Sequence, residues 1–242
     1  MSTIRGARER ARIEITAAIK DEARKQLAAE GAAKVSLRAV ARELGMASSA
    51  LYRYFPSRDD LLTALIIDAY DAVGEAAEAA WEVARGTSGG HPARWAAVAC
   101  AARDWALAHP HEYALIYGSP VPGYIAPQDT IGPASRVGLV FMGVVREAHS
   151  DDGLAAPSLD ADLRPEAERM ADELAPDLPP AVVTALIAAW AQLFGLISFE
   201  LFGQFHRVVE DREPFFRRAA EELGHSVGLL RGRGTRTSRG RT

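Results

Sequence analysis

The sequence has very little of what disulfide, metal or nucleophilic chemistry requires. Its single cysteine, Cys100, can form neither an internal disulfide nor a cysteine pair that binds a metal. His109 and His111 flank a proline without a well-spaced third ligand. No glycine-rich phosphate loop occurs, and no nucleophile has an adjacent base. These absences argue against an enzyme, and they predict no metal and no cofactor.

Segments that would export the chain or anchor it in a membrane are also scarce. Residues 1–14 contain basic residues but no apolar core of a signal peptide, so we expect a cytoplasmic protein. Residues 182–199 carry no charge and approach the length of a membrane span. Thr184, Gln192 and Ser198 interrupt this run, and no basic flank marks a cytoplasmic side. We therefore predict a buried helix and no membrane partner.

The net charge of −4 conceals a strong asymmetry along the chain. Residues 1–60 hold 12 Lys and Arg against 8 Asp and Glu, whereas residues 61–230 hold 11 against 24. The last twelve residues, 231–242, contain five arginines and no acid, and their composition predicts a disordered tail. A basic N-terminal segment on an acidic body indicates that this segment meets a polyanion.

Strand patterns are almost absent, because no run alternates β-branched and polar residues between turns. Helical spacing dominates instead: Ile15, Ile19, Ala23 and Leu27 recur every four residues before Gly31. We therefore predict an all-α fold.

Two short helices follow the first. Ser36 is the expected N-cap of a helix that Gly45 ends, and residues 47–54 form a second helix that Pro56 stops. Leu51 faces inward and locks the second helix onto the first, and Ser57 caps a long fourth helix. A helix, a tight glycine turn and another helix have the dimensions of a helix-turn-helix. An αα-corner inside any helical protein would show the same spacing.

A family resemblance separates these alternatives. The run SLRAVARELGMASSALYRYFPSRDDLLTAL resembles the DNA-binding motif of the tetracycline-repressor (TetR) family. Six positions match the motif as they stand: Ala41, Gly45, Leu51, Tyr52, Phe55 and Leu61. Conservative replacements are Ser36, Val40, Met46 and Arg58. Two residues depart from the motif: Ala47 replaces the serine or threonine that caps the recognition helix, and Tyr54 replaces a histidine.

The resemblance implies a role for each polar residue of this segment. Tyr52 and Tyr54 correspond to the family's phosphate-contacting pair, Arg58 to its phosphate-binding lysine, and Ser36 to another phosphate contact. Arg38 occupies an exposed position from which some members reach a base edge, and arginine can bind guanine with two hydrogen bonds. The second helix also exposes Ser48, Ser49 and Arg53, of which the serines are further base-contacting candidates. Four arginines precede the first helix or open it, namely Arg5, Arg8, Arg10 and Arg12, and they could either contact the minor groove or backbone of DNA or be solvated.

The rest of the chain predicts a larger helical domain. Helices are expected from residue 92 through Trp105, over a short segment after Pro110, and over 131–148, about 179–205 and 213–230, with a loop at 118–127. We expect the last two helices to form a homodimer interface, because five apolar side chains need a covering surface. These side chains are Leu193, Leu196, Ile197, Leu201 and Phe202.

Aromatic residues of this domain suggest a ligand cavity, although aromatics at helical spacing are more often ordinary core. The candidate lining consists of Trp105, Tyr113, Tyr117, Phe141, Trp190 and Phe194. The run WALAHPHEYALIYGSPVPGY also resembles the C-terminal domain of one TetR-like subgroup, of a tryptophan/histidine/glycine type, whose effectors are mostly unknown. Such a cavity would bind a small, largely apolar effector.

Together these features predict three regions: a DNA-binding domain at 1–56, an effector-binding and dimerisation domain at 57–230, and the tail at 231–242. The resemblance implies a ligand-responsive repressor that binds a palindromic operator of double-stranded DNA as a homodimer and is released by a small molecule. Alternatives with the same fold are a transcriptional activator and a helical adaptor that does not bind DNA.

Overall fold

The computed structural model describes residues 2–87 and 89–230, with side chains from residue 6 onward. The expected tail at 231–242 lies outside these residues. In the described part, the secondary structure consists of ten α-helices, three short 3₁₀ turns and one isolated β-bridge between Leu154 and Leu229. The predicted all-α fold is confirmed. The helices are α1 Ser2–Glu30, α2 Leu37–Glu43, α3 Ser48–Leu51, α4 Arg58–Arg85, α5 Gly90–Ala108, α6 Pro110–Tyr117, α7 Ile131–Ser150, α8 Arg164–Leu174, α9 Pro180–Leu201 and α10 Arg212–Val227.

Two elements differ from the sequence prediction. The prediction of only two helices after residue 164 was wrong, because the polar helix α8 precedes α9. The second short helix is also shorter than residues 47–54: α3 ends at Leu51, and the chain tightens into turns. There the amide of Arg53 donates to the Ala50 carbonyl and that of Tyr54 to the Leu51 carbonyl, at 3.2 and 2.8 Å. Hydrogen bonds spanning three residues replace the helical pattern before Pro56.

The chain forms two compact units, and the first comprises residues 1–72 and 108–134. Its core is built by α1, α2, α3 and the first half of α4, with Leu115 of α6 among its buried side chains. Ion pairs attach α6 to this core: the guanidinium of Arg24 reaches both Asp68 and Glu112. The hydroxyls of Thr63 and Tyr124 also hydrogen bond at 2.9 Å. Hence the expected boundary at residue 56 does not coincide with an edge of the compact unit.

In the described part of the chain, the second unit comprises residues 73–107 and 135–230. Trp95 lies at its centre, fully buried, with its ring nitrogen donating to the Ala220 carbonyl at 3.0 Å and its ring 4.5 Å from that of Phe141. The central helix is α9, which packs against both α8 and α10. By length and composition α9 could cross a membrane, although 39% of its most apolar 18-residue segment is buried inside this chain.

The expected homodimer role of two α9 residues needs correction. Leu193 and Ile197 were expected to need a covering subunit, but both are fully buried within the chain itself. The Glu200 carboxylate near the end of α9 is buried as well, and it accepts two hydrogen bonds from the buried guanidinium of Arg103, at 2.6 and 2.7 Å. The apolar pattern of α9 therefore reflects the core of its own unit on one face of the helix.

Candidate nucleic-acid interface and ligand pocket

The turn between α2 and α3 is held by the residues that the sequence singled out. The Ser36 side chain accepts a hydrogen bond from the Ala39 amide and so caps α2. Gly45 adopts φ +63°, a left-handed conformation that glycine takes without steric cost. Leu51 is fully buried and fixes α3 against the core. Ala47 stands at the N-cap of α3 without a side-chain hydrogen bond, as its identity requires.

Beyond this turn, α3 and its neighbours expose a continuous series of polar side chains. Ser48, Ser49 and Arg53 are exposed, and the Tyr52 side chain is 42% exposed although it follows the buried Leu51. Arg38 on α2 is exposed as well. Every one of these groups can donate a hydrogen bond, so the surface suits the acceptor oxygens of a nucleic-acid backbone and the base edges of a major groove.

Arg58 has a role in the free protein that the sequence did not reveal. Its Nε donates to the Val35 carbonyl at 3.1 Å, and one Nη donates to the carbonyls of Ala32 and Ala33 at 2.8 and 3.2 Å. The other Nη lies 3.5 Å from an oxygen of Asp59. Arg58 thereby fastens the turn before α2 to the start of α4. A phosphate contact by Arg58, which stays a prediction, would have to use the second Nη.

Tyr54 is half-buried against the core of the first unit rather than fully presented to solvent. The guanidinium of Arg12 lies over its ring, 5.8 Å from the centroid, which is within the range of a cation–π contact. No sequence pattern indicated this pairing, because the two residues are far apart in the chain. Tyr54 therefore connects the N-terminal part of α1 to the end of the helix-turn-helix.

The second unit contains a cavity of about 200 Å³ among α7, α8 and α9. Its walls are almost entirely apolar, and Ser135 and Glu173 are the two polar lining residues. The lining residues are Ser135, Gly138, Leu139, Phe141, Met142, Glu173, Leu174, Val183, Leu186, Ile187 and Trp190. Sequence reasoning missed Glu173 and Leu174, because their helix was not predicted. An apolar cavity lined by few polar groups is typical of a small-molecule site.

Of the six aromatic residues expected to line one cavity, Phe141 and Trp190 line this one. Trp105 and Phe194 also belong to the second unit but are not among its walls. Tyr113 and Tyr117 belong to the first unit, where their rings lie 5.1 Å apart and Tyr117 packs edge-on against Tyr70 at 5.9 Å. Burial raises the pKa of both Tyr70 and Tyr117, which keeps their hydroxyls neutral.

Within the residues that the structure describes, no three His, Cys, Asp or Glu side chains lie close enough to hold a metal ion. Burial raises the pKa of the Cys100 thiol, so little reactive thiolate forms. The fold and the exposed polar surface of α2 and α3 define a helix-turn-helix DNA-binding regulator.

The particular family follows from comparison with known proteins. The family described as "Bacterial regulatory proteins, tetR family" matches residues 19–65, and "Tetracyclin repressor-like, C-terminal domain" matches residues 95–223. The chain belongs to the TetR family of transcriptional regulators. The second match includes the WALAHPHEYALIYGSPVPGY run, whose resemblance to a tryptophan/histidine/glycine type of C-terminal domain stays a prediction.

Individual relatives agree with this assignment. The HTH-type transcriptional regulator Rv1816 of Mycobacterium tuberculosis is 41% identical over 211 residues, which cover 83% of this chain and 86% of that protein. The crystal structure of SCO4313, described as a regulatory protein, superposes with a TM-score of 0.72 at 33% identity and covers 89% of this chain and 97% of that one. PfmR from Thermus thermophilus, a TetR family transcriptional regulator, shares the fold with a TM-score of 0.55 at 17% identity, covering 88% and 99%.

Proposed function

We propose that this regulator is a ligand-responsive repressor, which binds a palindromic operator as a homodimer and leaves it when a small, largely apolar molecule binds. The observation that carries the DNA-binding face is the exposed polar surface around α3, supported from beneath by the buried Leu51. In this proposal, Tyr52, Tyr54, Ser36 and Arg58 contact phosphates. The base-contacting residues are Arg38, Ser48 and Ser49, with Arg53 on the same surface.

Arg38 and Tyr52 should be distinguishable by the kind of DNA contact that they make. Phosphate contacts hold a protein in register without conveying sequence, so Tyr52→Phe should weaken binding to operator and random DNA alike. Arg38→Ala should cost about 1–3 kcal/mol at one operator position and affect random DNA less. Fluorescence anisotropy would measure both variants against a duplex selected by the wild-type protein and against its scrambled version.

Arg42→Ala is a comparison variant for Arg38→Ala, because Arg42 is an exposed arginine one helical turn further along the same face of α2, and a loss confined to Arg38→Ala would be specific to that position. Equal losses of operator and random DNA affinity in Arg38→Ala would remove Arg38 from the base-contacting group. Failure of the wild-type protein to select any duplex from a random library would contradict the DNA-binding proposal itself.

The dimer that we propose uses a face of α9 distinct from both its core and the cavity. Small residues, Ala188, Ala191 and Gly195, continue into Phe199 and Phe202, which are 53% and 45% exposed. A Cβ at Gly195 would meet nothing within 4 Å, so the position is open to a neighbouring helix. At about 100° per residue, this stripe lies roughly 120° around the helix from the cavity lining. Dimerisation would therefore leave the cavity wall of α9 uncovered.

The proposed effector site is the cavity among α7, α8 and α9. Its volume of about 200 Å³ suits a compact molecule, and the apolar lining favours a body without charge. Ser135 and Glu173 offer polar contacts to one or two groups of that molecule. A ligand that binds better to one arrangement of α7, α8 and α9 than to another shifts the population of the dimer between them. The repressor leaves the operator if the arrangement that the ligand favours no longer fits the operator.

A further inference from the structure

Helix α1 is longer than the core that it covers. Its first side chain packed against the core of the first unit is Ile15, about two helical turns after the first described side chain. Residues 7–14 are all exposed. Isolated helical turns are marginal in water, and among the described side chains of this extension Arg12 contributes a contact, with the ring of Tyr54.

The face of α1 that contacts the core continues into this extension, but its chemistry changes. Ile15, Ile19 and Ala23 are spaced by four residues along the core-facing side. Counting back with helical spacing places Arg12 and Arg8 on the same side. These side chains form one stripe along α1, which is apolar at Ile15, Ile19 and Ala23, where it meets the core. The same stripe is cationic at Arg12 and Arg8, where it projects beyond the core. Arg10 points the opposite way, at roughly 180° around the helix.

One member of this stripe lies against the helix-turn-helix. Arg12 stacks over Tyr54, the residue that follows the turns after α3. The cationic stripe is thus continuous with the proposed DNA-binding surface, and both belong to the same compact unit.

In the part of the chain that the structure describes, the charges of Arg8 and Arg12 are not neutralised by ion pairs. Among the side chains that the structure describes, neither Arg8 nor Arg12 has an acidic group within ion-pair distance, whereas Arg24 on the same helix pairs with Asp21, Asp68 and Glu112. Two arginines without described ion pairs, placed beside a DNA-binding element, attract phosphates and do not themselves specify bases.

We infer that the N-terminal turns of α1 are a second DNA contact, in which Arg8 and Arg12 bind backbone phosphates next to the helix-turn-helix. This inference rests on the proposed DNA binding and adds a contact to it. The extension contributes affinity for any duplex, with a dependence on salt but little on sequence.

The test compares Arg8→Ala, Arg12→Ala and Arg10→Ala in the full chain, by anisotropy with a random-sequence duplex at several salt concentrations. Each lost phosphate contact reduces the magnitude of the negative slope of log K against log salt by about 0.9, so the slope should become less negative in Arg8→Ala and Arg12→Ala. Arg10→Ala removes the same charge from the opposite side and should leave the slope unchanged. The duplex selected by the wild-type protein should show the same differences.

Arg8→Ala is the decisive variant, because Arg8 has no described contact with Tyr54 and its loss leaves the helix-turn-helix packing intact. A slope in Arg8→Ala equal to that in Arg10→Ala would overturn the inference while leaving the DNA-binding proposal standing. Absence of duplex binding by the wild-type protein would instead defeat the proposed function, and this inference with it.

Discussion

At the scale of single residues, two ion pairs of the second unit share one geometry but differ in exposure. Arg103 and Glu200 form two hydrogen bonds with side chains only 9% and 5% exposed. Arg146 and Asp177 also form two, at 2.6 and 2.9 Å, with side chains 39% and 52% exposed. The hydrogen bonds that Arg103 donates to Glu200 raise the pKa of Arg103, so its charge persists despite burial. Removing one partner has consequences that depend on whether water can replace it.

We expect Glu200→Ala to lower the free energy of unfolding by about 3–5 kcal/mol, because the Arg103 charge would remain buried without its carboxylate. Asp177→Ala removes the partner of an equally well-aligned but exposed arginine and should cost at most about 1 kcal/mol. Urea denaturation followed by circular dichroism would measure both. Similar losses in the two variants would show that burial does not decide the strength of the Arg103–Glu200 pair.

Arg58 shows a limit of sequence comparison at this scale. The family resemblance identified it as a cation near phosphate, which describes its place in the motif. Its hydrogen bonds to Ala32, Ala33 and Val35 depend on how the turn before α2 returns toward α4. No spacing in the sequence specifies that path, so the carbonyl partners could not be predicted.

At the scale of elements, helices with an apolar stripe were predictable and polar ones were not. The spacing of Ile15, Ile19, Ala23 and Leu27 located α1, and Ser36 and Gly45 marked the two ends of α2. Helix α8 buries only Ala167 and Ala171, and its remaining residues are mostly charged. Two alanines give too weak an apolar pattern to distinguish a helix from a polar loop. The cavity was therefore predicted without one of its walls.

The walls of the cavity can be tested where α7 meets α9. A Cβ added at Gly138 would lie 3.4 Å from the Trp190 ring, so Gly138→Leu should fill the space beside that ring. We expect the neutral apolar dye N-phenyl-1-naphthylamine to bind the wild-type protein, with energy transfer from tryptophan. Binding of this dye should be lost in Gly138→Leu.

Gly132→Leu is the matched control for this experiment, because Gly132 is exposed on the same helix and a Cβ there meets nothing within 4 Å. Thermal unfolding of both variants would establish that they fold. Dye binding that survives in a folded Gly138→Leu protein would place the apolar site elsewhere.

At the scale of the whole molecule, the residues proposed to contact DNA and the compact unit that contains them have different boundaries along the chain. The DNA-contacting residues proposed here lie between residues 8 and 58, yet their compact unit also includes residues 108–134. The sequence analysis placed helix α6 in the effector-binding domain. In the structure, Arg24 of α1 forms ion pairs with Glu112 of α6 and Asp68 of α4, and these join the three helices. Such an arrangement requires contacts between distant parts of the chain, which helical periodicity alone does not contain. Sequence patterns therefore predicted the order of elements better than their grouping.

The proposed homodimer is a property of this scale, and the exposed stripe of α9 gives a direct test. Ala191→Glu would place a charge in the middle of the stripe without disturbing the core, because Ala191 is exposed in the single chain. We expect this variant to remain folded, to become monomeric by light scattering, and to lose affinity for a palindromic duplex by roughly 10²-fold or more, because linked half-sites bind with a high effective concentration.

Two controls make the dimer experiment specific. Ala79→Glu adds the same charge at an exposed position of α4 and should stay dimeric. Ile197→Asp would instead place a charge in the core of the single chain, where Ile197 has no exposed surface, so we expect unfolding rather than clean dissociation. A folded, dimeric Ala191→Glu protein that binds the palindrome as tightly as Ala79→Glu would exclude this face of α9 as the subunit interface. The exposed Phe199 and Phe202 would then require another partner.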